Sequence, residues 1–461
     1  MRNHFFWLAL LAGSAATTAQ AQSLAPIGGG SYSSPPSACV TPAQRVRIDS
    51  MLTANVQILR AQGILSPASQ RPTSVALSWP LRQATGFTYN SIYSINYYVD
   101  DDPRYPGYVL DWNCGTRAKD FSGGNHAGTD IVLWPFGWNM MAANQGEIIA
   151  AAPGTIIAKI DGRPDMNCLS TPTNDWNAIY VQHSDGTVAW YGHMKMNTQT
   201  SKPVGASVAT GEFLGNVGSS GSSDVPHLHF EMHDAQGNVL DPYHGSCNTA
   251  ASLWATQKPY NEPTINALLT HTAPPVFNNC PQQATTNIST NFQPGSQPYF
   301  AAYYHDQQQG HITTYTIYRP DNSVFQTWTH TSPSSYLQSY WYWTYVLPAN
   351  APIGTWRFTA SYQGSTVTQN FTVGTALATA ASRSAVFTLF PNPSHGHATA
   401  ELAASPTAGA EAIVSNQLGQ VVVRQPLVSR QLELTLPTTA GLYFVTLPTP
   451  NGPVTQKLVV E

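Results

Sequence analysis

Charge is scarce in this chain: Asp, Glu, Lys and Arg make up 10% of its 461 residues, the net charge is -4, and no basic block occurs. That balance excludes the electrostatic footprint of nucleic-acid binding and of attachment to anionic membranes. Past residue 21 there is no uninterrupted apolar run of about 18 residues, so no later segment is expected to span a membrane. None of the five cysteines forms a Cys-x-x-Cys, which argues against a cysteine zinc site. What fills the chain instead is Ser, Thr, Asn, Gln and aromatic residues, a mixture suited to extracellular β-rich domains.

The length suits about three domains. Residues 1–21 carry Arg2, an apolar run from Phe5 to Ala12 and then Ala19-Gln20-Ala21, the layout of a cleavable secretory signal. Export makes disulfides the default. Four of five cysteines can pair in fifteen ways, and Cys114 with Cys168 is the favoured pair because both flank the candidate site. Residues 22–74 read as a Gly/Ser/Pro-rich leader followed by a helix. Thr41-Pro42 supplies its cap and first turn, and Ile48, Met51, Leu52, Val56 and Leu59 recur at helical spacing up to Gly63. This helix is expected to pack on the domain behind it, with a cover over the site as its other possible role.

Residues 75–250 change to short strands and glycine-marked turns, including the Ser184-Asp185-Gly186 hairpin signal. A linker at 251–275, an Ig-like β-sandwich at 276–375, a second linker at 376–385 and a final β-rich unit at 386–461 complete the expected organisation. In the sandwich, Tyr340-Trp341-Tyr342-Trp343 is either core and rim or a platform for a ligand.

The chemistry concentrates in 75–250. In His227-Leu228-His229-Phe230-Glu231, period two sends 227, 229 and 231 to one face and Leu228 and Phe230 into the core. His126 and Asp130 lie on either side of Gly128, whose freedom permits a turn that brings them together. With His229 they form the three-ligand His/Asp set of a catalytic zinc site, which leaves one position for water. His193 and His227 are then placed to accept a proton from that water or to stabilise an oxyanion, roles expected of histidines near their ordinary pKa. Glu231 is a candidate to orient a ligand. His183 and His233 read as hydrogen-bonded structural residues, and Trp134, Trp138 and Trp176 as core residues or groove walls.

These motifs, in this order, resemble the lysostaphin and LytM family of zinc endopeptidases: His-x-Gly-x-Asp at 126–130, Ala152-Pro153-Gly154-Thr155-Ile156, Tyr191-Gly192-His193-Met194 and Pro226-His227-Leu228-His229-Phe230-Glu231. The resemblance covers about 170 residues, from Trp79 to Pro242. It implies a mostly β chain with an antiparallel, duplicated-hybrid-motif catalytic domain, Zn2+ on His126, Asp130 and His229, and catalysis by His193 and His227. Two departures fall around the site rather than in it: Asp224-Val225 where relatives commonly carry Thr-Gly, and an extra-looking segment at 162–175. Both are expected to alter substrate choice. A D-Ala-D-Ala peptidase of related zinc geometry would need a Glu-x-x-His element that is absent here in suitable context.

A second resemblance lies at the end of the chain. Leu389-Phe390-Pro391-Asn392-Pro393, Asn416-Gln417-Leu418-Gly419-Gln420, Ala440-Gly441-Leu442-Tyr443-Phe444-Val445 and Gln456-Lys457-Leu458-Val459-Val460 are similar to the sorting domain of type IX secretion. It implies a Gram-negative source, passage through the type IX machinery after Sec export, and a secreted or outer-surface location. The expected activity is hydrolysis of peptide bonds in peptidoglycan cross-links. Cleavage of glycine-rich, elastin-like extracellular proteins is the alternative, and a non-catalytic surface-binding protein with a peptidase-like fold is the competing class.

Overall fold

Every residue of the strand His227–His233 is buried, the burial of a strand at the centre of a sheet rather than at its edge. The computed structural model describes residues 22–32, 40–66, 75–121, 123–166, 168, 175–374, 387–402, 406, 409–417, 419–436, 439–448 and 454–461. The secretory signal expected at 1–21 lies outside them.

In the main sheet the order is Ser207–Val208, Gly154–Ile160, Ala178–Gln182, Val188–Gly192, His227–His233, Thr129–Leu133 and Tyr93–Tyr97, with every neighbouring pair antiparallel. Register decides the site. His229 stands opposite Gly192 on one side and Asp130 on the other, so residues far apart in sequence meet at one level of the sheet. On the opposite face, Leu228, Phe230, Met232, Ile131, Leu133 and Tyr191 enter a core shared with a small sheet of Leu81–Gln83, Gly146–Ile149 and Phe213–Asn216. Burying these aliphatic and aromatic side chains, at about 1.5–3 kcal/mol each for full burial, is what fixes the strand's facing.

The helix Pro42–Ala61 packs on the site-bearing face. Thr41 and Gln44 close a reciprocal capping box, with Pro42 in the first turn. Ile48, Leu52 and Leu59 then meet Ile157, Trp176, Tyr180 and Trp190. The helix ends beside Gly63, whose φ of +71° suits a residue without a Cβ.

The leader differs from expectation, because Gln22–Ser23 and Gly28–Ser31 are strands of the following sandwich. So does the linker expected at 251–275: it contains the strand Thr264–His271, which pairs along its length with Tyr299–Gln307. All of its residues from Ile265 to His271 are buried, so it carries no alternation of apolar and polar positions to mark it as a strand. The sandwich has sheets of six and four strands around Trp328, Trp343, Trp356 and Phe358. Trp341 and Trp343 fill this core, while Tyr340 and Tyr342 point the other way, onto a cluster with Trp134 and Phe136. An Arg117 to Asp306 ion pair at 2.9 Å, buried at both ends, joins the sandwich to the domain before it.

Two disulfides are present, Cys114 with Cys247 and Cys168 with Cys280, with Cα separations of 5.1 and 5.9 Å. The favoured Cys114 to Cys168 pairing is therefore incorrect. Trp112 stacks on Tyr243 and its carbonyl accepts from the Cys247 amide, which brings Cys247 rather than Cys168 beside Cys114. Cys39, the cysteine left over, lies outside the described residues.

The C-terminal unit is a separate sandwich of three- and four-stranded sheets around Phe387, Val414, Val445 and Leu458. Its Asn392 accepts from the Val459 amide and donates to the Lys457 carbonyl, fastening the first loop to the last strand. No helix among the described residues is long and apolar enough to cross a membrane.

Candidate active site

His126 follows the short hairpin Asp120–Phe121/Gly124–Asn125 and is held by its own backbone: its amide donates to Lys119 O and its carbonyl accepts from the Asp100 amide. Asp130 follows on the strand Thr129–Leu133, and His229 stands opposite it. His193 lies just past Val188–Gly192 with a φ of +56°, a left-handed conformation that costs a non-glycine residue and turns its ring toward the others. The structure thus brings His126, Asp130, His193, His227 and His229 together, all buried.

Each imidazole is oriented by a hydrogen bond from the nitrogen that faces away. His126 Nδ1 is 2.6 Å from Tyr98 O, His193 Nδ1 is 2.6 Å from Ser220 O, and His227 Nδ1 is 2.9 Å from Val225 O. His229 instead gives Nε2 to Glu231 Oε1 at 2.8 Å. Carbonyls and carboxylates only accept, so the outward nitrogens carry protons, while His229 lies between two carboxylates and donates from Nδ1 to Asp130 as well. His229 Nδ1, His126 Nε2 and His227 Nε2 then lie 2.7, 3.2 and 3.5 Å from one oxygen, Asp130 Oδ1. A cation placed among them would draw the same carboxylate oxygen and inward nitrogens onto itself. The donor set therefore fits a metal ion: two nitrogens and a carboxylate from His126, Asp130 and His229, all within 4.8 Å, as borderline-soft Zn2+ prefers. His193, His227 and His229 form a second such group.

The other Asp130 oxygen is taken by Lys119 Nζ at 2.8 Å, which also lies 4.4 Å from the Tyr97 ring centre. Burial alone would raise the Asp130 pKa, but His126, Lys119 and His227 beside it hold it well below the carboxylate range. Glu231 behaves alike: burial is outweighed by Arg45 and by hydrogen bonds from Arg45, His229 and His233. His193 and His227 depart from the expected ordinary pKa. Burial pushes both down, His227 to about 4, and neighbouring imidazoles push His193 further. Both are neutral at pH 7, in the form that accepts a proton.

The small-residue loop before His227 is buried scaffolding for these rings. Ser219 and Ser223 hydroxyls meet at 2.7 Å, and Ser220 Oγ links Asn177 N to Met194 O. Asp224 is buried beside them, where desolvation pushes its pKa up to about 6 against the pull of Lys119. Trp176 packs edge-on against His193, ring centres 5.0 Å apart, and lies 5.5 Å from His229. His183 bonds Pro153 O, and His233 bonds Gly237 O and Glu231.

Gly128 has a different reason from the one its motif suggests. Its φ is not positive, so no left-handed turn requires it. A Cβ there would lie 2.7 Å from His229 Nε2 and 2.8 Å from Phe230 O. Gly128→Ala is expected to displace the His229 ring and weaken retention of a metal there by about 10–100-fold, as loss of ligand orientation does; equilibrium dialysis measures it, and unchanged affinity would contradict the close-approach explanation. Lys119 and Arg45 escaped sequence reasoning. Neither belongs to a motif, and only the packing of a loop and a helix on the sheet brings them to Asp130 and Glu231.

Comparison with known proteins finds two matched regions. Residues 126–242 match the profile of peptidase family M23, and residues 388–461 that of the secretion system C-terminal sorting domain. Among curated proteins, the chain is 37% identical over 93 residues to the cell division protein DipM of Caulobacter vibrioides, covering 20% of this chain and 15% of that one. It is 35% identical over 66 residues to the DD-carboxypeptidase/endopeptidase Mpg of Neisseria meningitidis serogroup B, covering 14% of each. The chain thus spans only a small part of the length of these relatives. The lysostaphin catalytic domain from Staphylococcus simulans aligns at 24% identity with a TM-score of 0.22, covering 32% of this chain and 89% of that one. The catalytic domain of prophage-encoded EnpA from Enterococcus faecalis aligns at 22% and 0.21, covering 36% and 94%. With both signature regions found at the positions their motifs occupy, the chain carries a LytM-type peptidase M23 domain and a type IX sorting domain.

Proposed function

We propose that this protein is an exported zinc metalloendopeptidase that hydrolyses peptide bonds in bacterial peptidoglycan cross-links. The convergence of inward-facing imidazole nitrogens on Asp130 Oδ1 carries the reading. His126, Asp130 and His229 hold the metal; when bound, zinc acidifies a water and polarises a carbonyl.

The remaining work belongs to the side chains. His193 and His227 have ring centres 4.4 Å apart, with outer nitrogens fixed by Ser220 O and Val225 O. Their Nε2 atoms have no hydrogen-bond partner among the described residues, so each is available to the reacting groups. One accepts the proton lost by the attacking water, and that same proton is then donated toward the oxyanion and on to the leaving amine. Burial keeps both rings neutral and so open to a proton, and a ring protonated there readily returns it to the leaving amine. Lys119 keeps Asp130 ionised and leaves only Oδ1 for the metal. The buried Trp176 ring packs against His193 and His229 and holds that side of the site closed.

The relative named as a DD-carboxypeptidase/endopeptidase supports a cell-wall peptide substrate, and the sorting domain supports delivery to the cell surface or beyond. That location favours foreign peptidoglycan, or a glycine-rich protein as second reading, over the cell's own periplasmic wall. Mass spectrometry of fragments released from defined peptidoglycan is the test. New amino and carboxyl termini within stem or cross-bridge peptides are expected. Cleavage of elastin-like protein with intact peptidoglycan would select the second reading, and retention without turnover would contradict both.

A further inference from the structure

Glu231 is a fully buried carboxylate with four hydrogen bonds, and two come from outside the matched peptidase region. Arg45, in the first turns of the helix Pro42–Ala61, donates Nη1 to Oε2 and Nη2 to Oε1, both at 2.8 Å. The other two come from His229 Nε2 and His233 Nε2, at 2.8 and 2.7 Å. Parallel guanidinium to carboxylate bonds fix the carboxylate plane, and that plane fixes the His229 ring. Arg45 is itself held: its guanidinium carbon lies 5.1 Å from the Trp190 ring centre, and Trp190 stacks on His233 at 4.2 Å.

The helix that presents Arg45 is anchored along its length. Pro42 abuts Gly123 in the hairpin before His126, so closely that a Cβ on Gly123 would fall 2.8 Å from Pro42 Cγ. Farther on, Asn55 Nδ2 donates to Ile157 O at 2.9 Å, and Ile48, Leu52 and Leu59 are buried against the sheet. Upstream, Gln22–Ser23 and Gly28–Ser31 are strands of the sandwich.

We infer that Arg45 is a positioning residue of the metal site, acting through Glu231 to set the ring that presents His229 Nδ1 to zinc. The inference rests on the zinc reading of the site. It makes the amino-terminal helix a working part of the catalytic unit. Without Arg45, the carboxylate loses the two parallel bonds that fix its plane, and the His229 ring loses the orientation that plane sets.

Zinc affinity of the full-length chain, measured by competition with a chromogenic chelator, tests this without any activity assay. Arg45→Gln should weaken zinc binding by about 10–100-fold. Arg45→Lys should fall between the two, since an ammonium keeps the charge but cannot supply the planar two-pronged contact. In a Glu231→Gln background the same Arg45→Gln change should shift affinity by less than about twofold, because the intermediary is already gone. Should Arg45→Gln fail to fold, Arg45→Lys and the Glu231→Gln pair still decide. Wild-type affinity in Arg45→Gln, or an equal loss in both backgrounds, would overturn the inference alone. A wild-type chain that binds no zinc would overturn the reading of the site and this inference with it.

Discussion

A His229→Ala protein should fold, lose zinc and cleave nothing. Its zinc affinity should fall by far more than the ~10–100-fold that loss of an outer hydrogen-bond partner costs, because a ligand itself is removed. Folding should survive, since both carboxylates keep partners: Asp130 retains Lys119 and His126, and Glu231 retains Arg45 and His233. Metal analysis of the purified variant beside its circular dichroism measures both at once. Full activity, or wild-type zinc content, would show that His229 is not a ligand and that the cation belongs elsewhere.

The second large effect separates chemistry from metal binding. His193→Ala and His227→Ala should keep zinc, bind substrate with little change in KM, and lose about 10²–10⁴ in kcat, the usual range for a positioned acid or base. The contrast has discriminating power because two donor groups share His229: one completed by His126 and Asp130, the other by His193 and His227. Zinc loss in His193→Ala and His227→Ala, with retention in His126→Ala, would assign the metal to the three histidines and reverse the roles. Asp130 argues for the first arrangement, since Lys119 and the surrounding rings keep it ionised.

Much of this site was legible in the sequence because local geometry encodes it. Period two along His227 to Glu231 predicts which side chains share a face, and the strand shows that facing, with Leu228 and Phe230 in the core. The helical spacing from Ile48 to Leu59, the Thr41 cap and the Asp185-Gly186 turn were equally readable, because each is decided by neighbours a few residues away. What resisted reading depends on pairing across long separations. The level at which Thr129–Leu133 meets His227–His233 follows from register, and the approaches of Lys119 to Asp130 and of Arg45 to Glu231 follow from how a loop and a helix pack on the sheet, none of which spacing carries. The disulfide partners failed for that reason too: nearness to the site in sequence stood in for nearness in space.

Gly128 and the histidine pKa values show a different shortfall. A glycine between two ligands invites a turn explanation, yet the missing Cβ makes room for a ring on the adjacent strand. Ordinary histidine basicity was a natural expectation for an acid and base pair, but it ignored how fully a central strand and a small-residue loop enclose them. Burial shifts both rings toward the neutral form, which leaves proton acceptance as their resting competence.

Zinc content and peptide-bond hydrolysis, followed together through one cycle of chelation and metal return, test the central claim most directly. The purified full-length chain should hold one zinc ion and release peptide-cleaved fragments from defined peptidoglycan. It should lose both properties to a chelator and regain both when one equivalent of zinc is restored. A metal-free protein that cleaves at the original rate, or a zinc-loaded protein that opens no peptide bond in peptidoglycan or in elastin-like protein, would contradict the account.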